Sequence, residues 1–176
     1  MNIVLIGYRG TGKSTIARII SQKLNKKLYV LDALISYSAG MSIQKIVAKW
    51  GWARFREMET FQIKHVANKA ENAIIDCGGG VVLNPDNISC LKENGKIILL
   101  SAPIEIILKR IRPDSNRPAL KAGLSFEDEQ KQVLEEREPL YQKAADLVFE
   151  TSSGSAEEKA DQIIQSITEN GWFPNA

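Results

Sequence analysis

The chain has 176 residues, 44% of them apolar and 25% charged, with 23 Lys or Arg against 21 Asp or Glu for a formal charge of +2. That balance excludes disordered and fibrous classes, lacks the basic excess of a dedicated nucleic-acid binder, and allows one domain burying roughly 70% of its unfolded surface. No apolar run reaches the ~18 residues of a spanning helix, no secretory pattern opens the chain, and Cys77 and Cys90 have neither a disulfide framework nor zinc spacing. The expectation is a cytoplasmic protein with no membrane and no nucleic-acid partner.

Asn2 to Ile6 is short and β-branched and predicts a first strand. A glycine-rich loop then leads to a helix from about Lys13 to Leu24, and Leu28 to Leu31 predicts a second strand. Ser42 caps a helix over Ile43 to Lys49, and another runs from Trp52 to about Lys69. Ala73 to Cys77 is a third strand that ends in Gly78-Gly79-Gly80, and Asn84-Pro85 opens the next helix. Lys96 to Leu100 is a fourth strand, followed by a helix over Pro103 to Ile111. Residues 112–123 hold two prolines, a glycine and four charged residues, an exposed loop. Ser125 opens a further helix, Leu147 to Phe149 is a final short strand, and Ser155 with Glu158 forms a capping box before the last helix. Strands alternating with helices require a parallel sheet covered on both faces, hence one α/β domain over residues 1–176.

Gly7-Tyr8-Arg9-Gly10-Thr11-Gly12-Lys13-Ser14 fits the phosphate-binding P-loop pattern. Such a match arises by accident in roughly one chain of this length in 200, and here it also follows a strand and opens a helix, as phosphate binding requires. Backbone amides of Gly10, Thr11, Gly12, Ser14 and Thr15 would cradle the phosphates, Lys13 would reach the outer ones, and the Ser14 hydroxyl would ligate Mg²⁺. The implied co-substrate is a nucleoside triphosphate, ATP.

The phosphoryl acceptor must meet that loop at the carboxyl ends of the strands. Asp32 follows the second strand, suited either to orienting an alcohol or to capping a helix. Gly78-Gly79-Gly80 permits close approach or makes a sharp turn. Arg56 and Glu59 share a helix face, where Glu59 could hold the Arg56 guanidinium in place to take a substrate carboxylate, or both could lie in solvent. Arg117 and Arg137 could be surface residues. His65, the sole histidine, reads as structural or surface, and Trp50, Trp52 and Trp172 as packing residues, Trp52 close to the substrate region through its proximity to Arg56.

Taken together, Gly7 to Ser14, Asp32-Ala33-Leu34-Ile35, Gly40-Met41-Ser42-Ile43, Phe55-Arg56-Glu57-Met58-Glu59, Gly78-Gly79-Gly80, Arg117-Pro118-Ala119-Leu120 and Arg137-Glu138-Pro139-Leu140-Tyr141 resemble the shikimate kinase family over nearly the whole chain. The resemblance implies a P-loop kinase fold with a five-stranded parallel sheet of order 2-3-1-4-5, a mobile lid over 112–123, and a monomer. It implies transfer of the γ-phosphoryl group of MgATP to the 3-hydroxyl of shikimate, in aromatic amino acid biosynthesis. Asp32 would contact the reacting hydroxyl, Arg56, Arg137 and the glycine backbone would hold shikimate, Glu59 would hold Arg56, Arg117 would reach the phosphates, and Arg110 would lie against adenine. The rival readings are a kinase for a sugar acid or nucleotide, and an ATP-binding domain without turnover.

Three positions depart from the family pattern. The family usually carries two aspartates after the second strand, and the first of these is Val30 here, which cannot hold metal or water. Asp76 stands where the family usually has Ala or Ser. The expectation is that Asp76 takes over support of the Mg²⁺ shell, the alternative being a carboxylate bonded to nearby groups. Ser36 replaces a common glutamate, a change the sequence does not explain.

Overall fold

The computed structural model describes residues 1–111, 119–121 and 123–173. Its five strands are β1 (Asn2–Ile6), β2 (Leu28–Val30), β3 (Ile74–Asp76), β4 (Gly95–Ser101) and β5 (Leu147–Glu150). They form one sheet of order β2-β3-β1-β4-β5, and every neighbouring pair is parallel. Among the described residues, seven α-helices accompany the sheet: α1 (Lys13–Lys23), α2 (Leu31–Ala39), α3 (Ile43–Lys69), α4 (Pro85–Glu93), α5 (Ile104–Arg110), α6 (Phe126–Ala144) and α7 (Ala156–Glu169).

Alternation along the strands builds two cores from one sheet. Ile3 and Leu5 of β1, with Ile98 and Leu100 of β4, pack against Ile16 and Ile20 of α1 and Ile163 and Ile167 of α7. Val4, Ile6, Ile97 and Leu99 face the other way, against Ile63 and Val66 of α3, Leu91 of α4 and Tyr141 of α6. With both faces covered, the central strand is apolar throughout, and all five β1 residues are buried. A satellite cluster of Ile35, Ile46, Val47 and Phe55 joins α2 to α3.

The topology fixes where a ligand can bind. β1 lies between β3 and β4, so the chain leaves the centre in one direction and returns to the other side of it. The loops after β1, β3 and β4 therefore meet at one carboxyl edge, over the point where the strand order reverses.

Local signals placed most boundaries within a residue or two. Ser42, Ser125 and Ser155 each accept a backbone N–H as helix caps, and Glu158 closes the capping box onto the Ser155 amide at 2.7 Å. Asn84 caps α4 ahead of Pro85. The two helices expected on either side of residue 51 join into α3, with a kink at Gly51, whose φ is 80°. β2 ends at Val30 instead of Leu31, because Leu31 already starts α2 and buries its side chain against α3's core. A short 3-10 turn over Val81–Leu83 follows the glycine triplet, without a sequence signal of its own. Most of the expected lid, residues 112–118 and 122, lies outside the described residues.

Ile20 is fully buried where α1 docks on the sheet. Ile20→Ala should lower unfolding free energy by about 3 kcal/mol, read from urea titration, while leaving nucleotide affinity close to the parent's well below the melting temperature.

Candidate active site

Between β1 and α1 the chain turns through backbone conformations that favour glycine, with φ of 139° at Gly7, 82° at Gly10 and 87° at Gly12. A Cβ on Gly7 would stand 2.2 Å from the Leu100 carbonyl oxygen, so no side chain fits there. Gly12 is the cap residue of α1 and brings no side-chain acceptor, so the first-turn amides face an incoming anion without a competing cap. Lys13 is buried, and its Nζ donates to the Tyr8 carbonyl at 2.9 Å, across the loop's interior. The Thr11 hydroxyl donates to the same carbonyl at 2.7 Å.

The loop is also braced from outside. Arg110 donates to the Gly10 carbonyl at 3.3 Å and reaches both the hydroxyl and the carbonyl of Thr151. The Thr151 hydroxyl lies 3.0 Å from the Thr11 carbonyl and 3.1 Å from that of Ser101. One threonine thus ties the phosphate loop to the ends of β4 and β5.

Opposite this loop stands a charged wall built on the glycine triplet. Arg56 Nη1 donates to Glu59 Oε2 at 2.6 Å, one turn along α3, and its guanidinium carbon lies 5.4 Å from the Trp52 ring centroid and 5.0 Å from that of Phe55. A Cβ on Gly80 would fall 2.1–2.2 Å from three atoms of that guanidinium. A Cβ on Gly78 would fall 2.7 Å from Asp32 Oδ1 and 3.2 Å from Glu59 Oε1. Gly78 and Gly80 are therefore empty volume that Asp32, Glu59 and Arg56 use. Gly79 contributes its carbonyl, which accepts from Arg137 Nη1 at 2.9 Å and from the Tyr141 hydroxyl.

Asp32 sits in the first turn of α2, two residues beyond the cap position held by Val30. Ser36 donates back to the Asp32 carbonyl at 2.9 Å, a bond within the helix that needs no substrate. Asp76 ends β3 and is buried. Burial raises its carboxyl above the ordinary aspartate range, opposed by a hydrogen bond from the Ser14 hydroxyl and by the Lys13 charge. Asp76 and Ser14 thus supply hard oxygen donors next to the phosphate loop, the chemistry Mg²⁺ accepts, so the residues present fit that ion.

A single cavity of about 820 Å³ brings these groups together. Its walls include Gly10, Gly12, Lys13, Ser14, Thr15 and Arg110 on the phosphate side and Asp32, Arg56, Glu59, Gly78, Gly79, Gly80 and Arg137 on the other. Val30 and Asp76 line it too, while Thr11 braces the loop from beneath. Arg117 lies outside the described residues. His65 is exposed on α3 and stands apart from this cavity. Local sequence gave no warning of Thr151, whose partner in the loop is 140 positions away. Tyr141 was legible, since it lies one helical turn beyond Arg137 on the same face.

Fold and site together define a nucleotide-dependent P-loop kinase. The shikimate kinase family model matches residues 9–168, and the chain belongs to that family. A shikimate kinase of Caldicellulosiruptor bescii is 44% identical over 163 residues, covering 93% of both chains. The solved shikimate kinase of Acinetobacter baumannii in complex with shikimate superposes with a TM-score of 0.90 at 31% identity, over 98% of this chain and 95% of that one. That of Aquifex aeolicus gives 0.83 at 35% identity, over 97% and 98%.

Burial raises the Glu59 carboxyl above its usual range, the nearby Asp32 charge adding to this and Arg56 opposing it. A carboxylate raised in the folded state adds stability below its unfolded value, about 4.3, and that stability is lost as pH climbs through the folded value. The unfolding free energy of the parent should therefore fall relative to that of Glu59→Gln as pH rises above about 4. Parallel profiles for the two proteins in urea titrations would refute this.

Proposed function

We infer that the chain transfers the γ-phosphoryl group of ATP to the 3-hydroxyl of shikimate, a step of aromatic amino acid biosynthesis. The observation that carries this reading is the convergence of Arg56, Arg137 and Asp32 on one glycine-built wall, facing the phosphate loop across a shared cavity. Two guanidiniums suit a carboxylate at the far end of the acceptor, and a carboxylate suits the reacting hydroxyl.

In this reading the loop amides and Lys13 hold the triphosphate and offset charge on the transferring oxygens. Arg56, steadied by Glu59 and two aromatic rings, anchors the acceptor carboxylate together with Arg137. Anchoring the far end fixes the hydroxyl against Asp32, which aligns it and accepts its proton late in transfer. Ser14 and Asp76 would hold Mg²⁺, Ser14 directly and Asp76 through the ion's water shell; when bound, the ion neutralises charge on the phosphates. Val30 and Asp76 are register partners on neighbouring parallel strands, which supports a carboxylate supplied from β3 where β2 has none.

The direct test is ADP release with Mg²⁺, ATP and shikimate as the sole acceptor. Stoichiometric ADP and phosphorylated shikimate are expected; turnover only with nucleotides or sugar acids, or none at all, would overturn the assignment. Gly80→Ala should raise the shikimate KM roughly tenfold or more by displacing Arg56, with the ATP KM within about twofold. The fold should survive, because the crowded atoms are the tip of a flexible side chain. Asp76→Asn should raise the Mg²⁺ concentration for half-maximal turnover by about tenfold. An unchanged Mg²⁺ dependence would sink the metal role.

A further inference from the structure

The backbone stretch Ala119–Lys121 reaches the cavity through Leu120, which lines it, and the stretch belongs to no helix or strand. Its position comes from side chains on two sides. From α3, Trp52 Nε1 donates to the Ala119 carbonyl at 2.9 Å. Because the same indole lies against Arg56, this bond places the stretch on the acceptor side of the cavity. From α6, Glu129 Oε1 accepts the Leu120 amide at 2.5 Å and the Lys121 amide at 2.8 Å.

Glu129 is itself held. Its residue is buried, and its second oxygen accepts from Gln130 Nε2 at 2.7 Å. Gln130 is fully buried, and its Oε1 accepts from the Tyr8 hydroxyl at 2.7 Å. Tyr8 belongs to the phosphate loop and carries the carbonyl that takes both the Lys13 ammonium and the Thr11 hydroxyl. A continuous line of hydrogen bonds therefore runs from the phosphate loop, through Gln130 and Glu129, to the amides behind Leu120.

We propose that Glu129 is a positioning residue for the acceptor: its carboxylate, oriented from the phosphate loop by Tyr8 and Gln130, sets Leu120 as a wall of the acceptor site. This rests on the acceptor reading above. A carboxylate suits the task because it can take two amides on one oxygen and a third donor on the other, all charge-assisted. Glutamine can do it in weaker form. If Gln130 turns over, its oxygen accepts from the new amide nitrogen, and its own nitrogen donates to the Tyr8 hydroxyl, which can accept. Alanine offers none of these bonds.

The test compares Glu129→Ala with Glu129→Gln in the full chain. Amide hydrogen exchange at Leu120 and Lys121 reports the clamp with no acceptor present, and steady-state kinetics report its consequence. Glu129→Ala should speed exchange at both amides at least tenfold and raise the shikimate KM roughly tenfold, with kcat and the ATP KM within about threefold. Glu129→Gln should recover most of both effects. Unchanged exchange in Glu129→Ala overturns the proposal, as does a Glu129→Gln as defective as the alanine variant, or a parallel loss in both KM values that tracks melting temperature. If Glu129→Ala does not fold, Glu129→Asp, which draws the oxygens back by one methylene, is read by the same two measurements. A parent that fails to phosphorylate shikimate would overturn the proposed function instead, and the exchange data would still decide the clamp.

Discussion

Arg56 occupies the space that a side chain at residue 80 would need, and Asp32 and Glu59 occupy the space that one at residue 78 would need. This wall of the cavity depends on that subtraction. Three ionisable side chains, from α2 and α3, converge on a turn that contributes only backbone, so they approach one another without an intervening Cβ. The phosphate loop obeys the same rule, since Gly7 exists to let the chain pass the Leu100 carbonyl. What the two halves of the cavity share is close packing of charge against bare main chain, which the order of the sheet makes possible by bringing their loops to one edge.

Holding charge there has a cost that the fold carries. Glu59 is buried with one oxygen that finds no hydrogen-bond partner among the described residues. Asp76 is buried in the wall of the same cavity, and burial pushes both carboxyls upward. Groups in that state stabilise the folded protein less at neutral pH than apolar residues of equal size would. The two apolar clusters on either face of β1 and β4 supply the stability that allows such groups to stay. Cys77, next to Asp76 and buried, shows the other fate of a titratable group in this region. Burial raises its thiol so far that it behaves as a small apolar residue.

How much of this was legible in the sequence follows from the range of each interaction. Caps at Ser42, Asn84, Ser125 and Ser155 act within three residues, so the chain announces them. The phosphate side of the cavity was legible in the P-loop pattern, whereas the order of the sheet and the acceptor side came from the resemblance, because spacing alone left Asp32, Arg56 and Arg137 with bland alternatives. The β2 boundary was misplaced by one residue because Leu31 continues an apolar run whether it belongs to a strand or to a buried helix face. Bonds such as Tyr8 to Gln130, 122 positions apart, have no local signature. They exist only once the fold has brought the phosphate loop against α6.

The metal role proposed for Asp76 in place of residue 30 rests on the same geometry. Val30 and Asp76 are paired in register, so their side chains emerge from adjacent strands on the same side of the sheet. Moving a carboxylate from one to the other shifts it by about one strand spacing, roughly 4.8 Å. That distance is too large for direct replacement of a metal ligand but within the reach of an ion's water shell. It also brings the carboxylate under Ser14 and Lys13, on β3 next to the central strand, instead of at the outer strand of the sheet. In the proposed reading, metal support and phosphate support would come from the ends of neighbouring strands, β3 and β1, while α2, which follows β2, would present Asp32 to the acceptor.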